Sequence, residues 1–259
     1  MLILLLASVF LDFFITCAFY YGKPLSEVPS AYDSMIINNY KGASANLLFR
    51  SFLFFLVAPI IASDIFYDEK EAGLQNYIFT RISRKSYVIY KALTLMTVVF
   101  CVIVFPLLLS QILALTAFPI QGHLTGKITY NELMSPDKNR VFSYFQNFYP
   151  YLNNLLFIIL RGITGAVAAL FSFSITFINH TKKFILILAP MIFYILYFTA
   201  ADMIESKLFN GIPGTFITTD ILGVNSYGSI WPVIVFHLIL VILSILFIWK
   251  GLRSDEALL

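Results

Sequence analysis

Six stretches of the chain are almost continuously apolar and are separated by mixed or polar segments: about 1–19, 46–63, 92–118, 152–178, 184–201 and 231–249. A helix rising about 1.5 Å per residue needs about 20 residues to cross a hydrocarbon layer roughly 30 Å thick. The pattern therefore predicts six transmembrane α-helices. Pro106 and Pro190 fall inside the third and fifth stretches, where neighbouring helices and polar side chains can satisfy the freed carbonyls. Pro232 falls at the first turn of the sixth, where its missing N–H costs nothing. Arg50 is near enough to one end of the second to snorkel. The first stretch has no basic residues ahead of it and no small-residue cleavage site before Tyr20-Tyr21-Gly22, so it reads as an anchor and not a cleaved leader.

Six crossings bring both ends of the chain to one side. The connections on that side, 64–91, 179–183 and 250–259, carry nine basic residues: Lys70, Arg81, Arg84, Lys85, Lys91, Lys182, Lys183, Lys250 and Arg253. The opposite connections carry six in about twice the length. The excess of lysine and arginine predicts that both termini are cytoplasmic. On the other side, the aromatic run from Phe142 to Tyr151 reads as an interfacial belt leading into the fourth span. Residues 204–230 are apolar and punctuated by glycine. They are too short for two further spans and read as a re-entrant or interface-lying segment.

Composition narrows the class. Charged residues make up 12% of the 259 and hydrophobic ones 59%, whereas soluble domains carry roughly 25% charge. That excludes a soluble enzyme, a disordered regulator and a secreted disulfide scaffold. Cys17 and Cys101 both lie inside apolar runs, and the net charge of +3 is small and scattered, so neither a disulfide or metal site nor nucleic-acid binding is expected. The expectation is an all-α protein with one transmembrane domain over 1–259, multi-pass in the plasma membrane of a bacterium. No HExxH, GxSxG or P-loop pattern is present, so no catalytic residue and no bound cofactor is assigned. His123, His180 and His237 fall on separate segments, and His237 reads as a satisfied packing residue.

Two charges inside spans stand out. Asp12 and Arg161 would each cost roughly 2.5–3.5 kcal/mol to insert, and both fall at about mid-depth, counted from opposite faces. An Asp12–Arg161 pair would offset much of that cost. Separate solvation of each by water or carbonyl groups is the alternative. After Arg161, small residues recur every three or four positions from Gly162 to Ser172. This makes a face on which another helix backbone can pack closely, in the same chain or in a second copy.

The connection 64–91 concentrates charge. An acidic cluster around Asp68, Glu69 and Glu71 precedes apolar positions 74, 77, 78 and 82, and the basic Arg81, Arg84, Lys85 and Lys91 follow. The apolar spacing is helical and the charge order suits the helix dipole, so a short amphipathic helix on the inner membrane surface is predicted. In this connection the chain resembles the permease subunits of ABC-2 type ABC transporters. Those link their second and third spans through E-x-E-x-G, an amphipathic stretch, an S-R pair and a lysine. The matching residues are Glu69, Glu71, Gly73, Ser83, Arg84 and Lys91.

The resemblance implies a six-span permease whose amphipathic coupling helix contacts a separate cytoplasmic ATPase through Glu69, Glu71, Gly73, Tyr77, Ile78 and Arg84. It also implies two ATPase copies holding ATP and Mg, and a second permease copy, identical or different. The substrate path would run between the permeases, among membrane lipids. Aromatic-rich walls without a ring of charge suit an exporter of something amphipathic or apolar, such as a peptide, an antibiotic or a lipid-like molecule. Two other readings stay open: a membrane-embedded enzyme acting on lipid or peptide, for which only Asp12, Arg161 and His237 are available, and a non-transporting immunity or assembly subunit.

Overall fold

A computed structural model describes residues 1–36, 54–60, 69, 81–120, 142–177, 183–208 and 231–256. Helices α1 (Leu2–Tyr20), α2 (Arg84–Ala117), α3 (Ser143–Phe148), α4 (Pro150–Ile175), α5 (Lys183–Leu208) and α6 (Trp231–Glu256) are joined by a 3-10 turn at Leu25–Glu27 and a helical stretch over 54–60. No strand occurs among the described residues. Four helices, α1, α2, α4 and α6, are long and apolar enough to cross a membrane, and Lys183–Tyr197 of α5 is a shorter apolar stretch.

The distribution of side chains is that of a protein dissolved in lipid. Ile3 is 82% exposed on α1, while Ser8, Asp12 and Thr16 on the same helix are buried. Their spacing of four places them on one inward stripe together with Leu5 and Val9. The buried hydroxyls turn back to their own helix, Ser8 donating to the Leu5 carbonyl and Thr16 to that of Asp12, both at 2.7 Å. Thr164 and Ser244 do the same toward Leu160 and Leu240. Apolar outside and polar groups turned inward is the arrangement a multi-pass membrane protein requires.

Helix α4 is the axis of the bundle: 72% of its apolar window is buried, against 28% for α1 and α2 and 22% for α6. Its small residues explain this position. A Cβ added at Gly162 would stand 2.5 Å from Val104 Cγ2 and 2.7 Å from the Phe100 ring, and one at Gly165 would collide with Ile103 Cδ1. The partner of this stretch of the small-residue face is thus α2 of the same chain. Gln111 of α2 meets Asn154, so α2 and α4 run antiparallel. Further along α4, Ser172 donates to the Leu186 carbonyl of α5, and Phe171 meets Phe193 of α5 and Phe247 of α6.

Matching contacts order the remaining helices. Tyr20 at the end of α1 packs edge-on to Phe118 just beyond α2, so α1 and α2 run parallel. Thr164 meets His237, and Phe177 lies against Gly251, so α4 and α6 also run parallel. We call the end holding the starts of α1 and α2 and the finishes of α4 and α6 the basal end, and the other the distal end. Helix α1 finishes distally and α2 starts basally. Between them in sequence, the 54–60 helix packs inside the bundle, with Phe55 stacked on Tyr194 at 4.3 Å and edge-on to Phe236.

The helices outrun the apolar windows. Helix α2 begins at Arg84, eight residues before the expected Ala92, because Ser83 caps it by accepting from the Ser86 N–H. Ile82, expected as the last apolar position of the amphipathic helix, stands in a bend ahead of that cap. Helix α5 continues from Ala201 to Leu208 and α6 from Trp249 to Glu256. Charged residues end a hydropathy window there, but good helix formers such as Met, Glu, Lys and Leu carry the backbone ladder on. At about 51 Å by its rise, α2 is longer than the hydrocarbon layer is thick, so part of it stands in the interface or water. The aromatic belt contains the short α3, with Tyr144, Phe148 and Tyr149 exposed.

Candidate functional site

The basal foot of α2 carries the candidate site. Glu69 accepts from the Tyr87 hydroxyl at 2.5 Å through one carboxylate oxygen and from the Lys91 ammonium at 2.6 Å through the other. Tyr87 and Lys91 are four apart on α2 and share a face, so one carboxylate spans both. Burial pushes the Glu69 carboxyl up, but the bonds from Lys91 and Tyr87 outweigh it and hold the group below its ordinary value. The acid of the E-x-E-x-G pattern and the lysine at its far end are therefore in direct contact. Tyr87, which sequence reasoning did not single out, completes the clamp; its i, i+4 spacing from Lys91 was the available signal. Ser83 of the S-R pair is the helix cap, and Arg84 is the first residue of α2, partly buried and engaged in interactions. Glu71, Gly73, Tyr77 and Ile78 lie outside the described residues, as do His123 and His180.

Asp12 and Arg161 are 2% and 0% exposed, and neither is without partners. Their helices α1 and α4 both pack on α2. His237 is a satisfied core residue. Its Nε2 faces Thr164 Oγ1 at 2.8 Å and its Nδ1 faces the Val233 carbonyl at 2.5 Å. With hydrogen on Nδ1 the Val233 carbonyl accepts, and the Thr164 hydroxyl has one hydrogen to share between the Leu160 carbonyl and Nε2.

A second polar cluster, at the distal end, escaped sequence reasoning. Residues 30–36 form a strap, with Ala31, Met35 and Ile36 fully buried, tucked against α2 and the start of α4. Side chains meet its backbone: Ser110 Oγ accepts from the Ile36 N–H at 3.0 Å, Gln111 donates to the Ala31 carbonyl, and Asn154 donates to the Tyr32 carbonyl at 3.3 Å. Asn154 also donates to Gln111 Oε1 at 2.6 Å, and Asn153 donates to the Tyr32 hydroxyl. Within the strap, Ser30 donates to Asp33 at 2.8 Å. Two adjacent asparagines opening an apolar helix were the signal: such a pair, fully buried, needs partners.

No protein-family model, curated protein or solved structure matches the chain.

Proposed function

We propose that the chain is the transmembrane permease subunit of an ABC-2 type ABC transporter, driven by ATP hydrolysis on a separate cytoplasmic ATPase. The observation that carries this reading is the Glu69 clamp, which folds the acid of the coupling motif onto the foot of α2 through Lys91 and Tyr87. A docking loop transmits force only if it is fixed to the helix it is meant to move. The clamp supplies that fixture, and the Ser83 cap makes the helix start at the loop.

Helix directions support the same topology. The starts of α1 and α2 and the finishes of α4 and α6 share the basal end, which agrees with six crossings and cytoplasmic termini. In this reading the ATPase, with its own ATP and Mg, engages the connection from Glu69 to Arg84 and pushes on α2. Helix α2 in turn bears on α4 through Gly162 and Gly165. A second permease copy faces the first across the substrate path, and the cargo is amphipathic or apolar.

A photo-crosslinking amino acid at Tyr77, in cells that also express their own ATPases, tests the proposal. The expected product is an adduct with a P-loop ATPase, absent when the crosslinker replaces lipid-facing Ile112. Adducts with no ATPase, or equal adducts from both positions, would overturn it.

A further inference from the structure

The interface between α2 and α4 changes character along its length. Around Gly162 and Gly165 it is an interlock, with Phe100, Ile103 and Val104 filling the space that side chains would take. About two turns toward the distal end it is polar and bridged by the strap, with Asn154 holding the Tyr32 carbonyl and Gln111 together. The strap is not helical and has no ladder of its own. Its Ala31 N–H donates to the Pro119 carbonyl just beyond α2 at 2.8 Å, while its Ile36 N–H and its Ala31 and Tyr32 carbonyls are held by side chains of two different helices, bonds that a rotamer change breaks and water replaces. Closure also leaves the carbonyl oxygen of Asn153 buried and without a partner, a cost that hydration of the cluster would remove. One half of the interface is thus built to stay shut and the other to exchange its bonds.

We propose that residues 30–36 are a latch on the distal ends of α2 and α4. The latch alternates between the closed state described above and an open state in which water reaches Gln111, Asn153 and Asn154. The glycine interlock at Gly162 and Gly165 is the fulcrum. Opening releases the distal end of α4, the central helix, from α2 without disturbing the packing below. For a transported cargo this is the exit step, and the motion itself does not depend on the identity of the ATPase.

Single cysteines in a C17A/C101A background test the latch in nanodiscs, where reagent reaches both ends. Cys17 packs against the cluster that holds Ala31, Ala114 and Phe118, so its removal also guards against a stray disulfide. Three positions calibrate reaction with a charged, membrane-impermeant maleimide. Tyr21, 91% exposed at the same end, reports free reaction; Ala168, fully buried in α4, reports global unfolding; Ala31, fully buried in the strap, reports the latch.

A31C is expected to react more slowly than Y21C and measurably faster than A168C. Adding N154A should raise the A31C rate about three- to tenfold, the change in opening equilibrium expected from losing one net hydrogen bond, with A168C unmoved. A31C as inert as A168C, or indifferent to N154A, would overturn the latch. Because no ATPase is present, this result stands apart from the crosslinking experiment.

Discussion

The Lys91 ammonium reaches 22 positions back along the chain to donate to Glu69 at 2.6 Å, while Tyr87, one turn before Lys91, donates to the other oxygen of the same carboxylate. A partly buried ion pair of this kind is worth about 1 kcal/mol, and a charge-assisted phenol bond adds a similar amount. Glu69→Gln and Lys91→Met are each expected to lower thermal stability in nanodiscs, and the double variant to cost less than the sum of the two. Under the permease reading both also weaken stimulation of the partner ATPase. Strictly additive costs would show that the clamp is not a unit.

The glycine interlock predicts a second outcome. Gly165→Ala drives a methyl group into Ile103 Cδ1, and overpacking of a tight core costs about 1–3 kcal/mol. Ile103→Val removes the obstructing carbon and should restore much of that loss. Gly22→Ala is the control: its methyl meets nothing within 4 Å, but φ is +74°, so its penalty is conformational and Ile103→Val leaves it unchanged. Thermal melts of the three single variants and the two double mutants with Ile103→Val check this directly.

Much of the fold was legible because lipid imposes one rule, long apolar runs, and the sequence obeys it visibly. Apolar windows over 1–19, 92–118, 152–178, 184–201 and 231–249 each coincide over most of their length with a helix. Their ends were misjudged at Arg84, Leu208 and Glu256, since hydropathy stops at a charge and a hydrogen-bond ladder does not. At the candidate site the reach of Glu69 to Lys91 could be suspected from the motif, but Tyr87 becomes a partner only once α2 is known to start at Arg84. The strap was invisible: Ser30-Ala31-Tyr32-Asp33-Ser34 is an ordinary loop composition, and its burial comes from Ser110, Gln111 and Asn154, which lie far along the chain. The small-residue run after Arg161 announced a packing face, while its partner, Phe100 to Val104, could be found only in three dimensions.

Thr164 and His237 supply a third test. Thr164→Val keeps the shape but strips the partner from His237 Nε2, which faces it at 2.8 Å. A buried group left unmet costs about 1–3 kcal/mol. Replacing both partners with apolar groups, Thr164→Val with His237→Phe, should recover part of that loss, because no orphaned polar group remains. The expected order of melting temperature is wild type, then the double variant, then Thr164→Val alone. A double variant less stable than Thr164→Val would mean that the imidazole does more than fill space.

Acid titration separates the two ends of the molecule, because Glu69 and Asp33 carry shifts of opposite sign. Glu69 is held below its ordinary value, near 4.5, by Lys91 and Tyr87 despite its burial. Its contribution to stability is therefore complete above that pH and is lost as the pH falls through the folded value. Asp33 is raised above its ordinary value, near 3.8, by burial, against the opposing bond from Ser30. The closed strap thus favours the protonated acid, and its contribution is complete below that pH and lost as the pH rises through the folded value. Two variants isolate the effects. Glu69→Gln should remove the loss of stability on acidification and leave A31C reactivity unchanged. Because every thiol labels faster as it ionises, A31C is read as a ratio to Y21C; Asp33→Asn, which mimics the protonated acid, should remove the rise in that ratio that wild-type Asp33 produces as the pH climbs from about 4. A ratio that falls with rising pH would reverse the sign of the Asp33 argument, and with it the link between proton binding and closure of the strap.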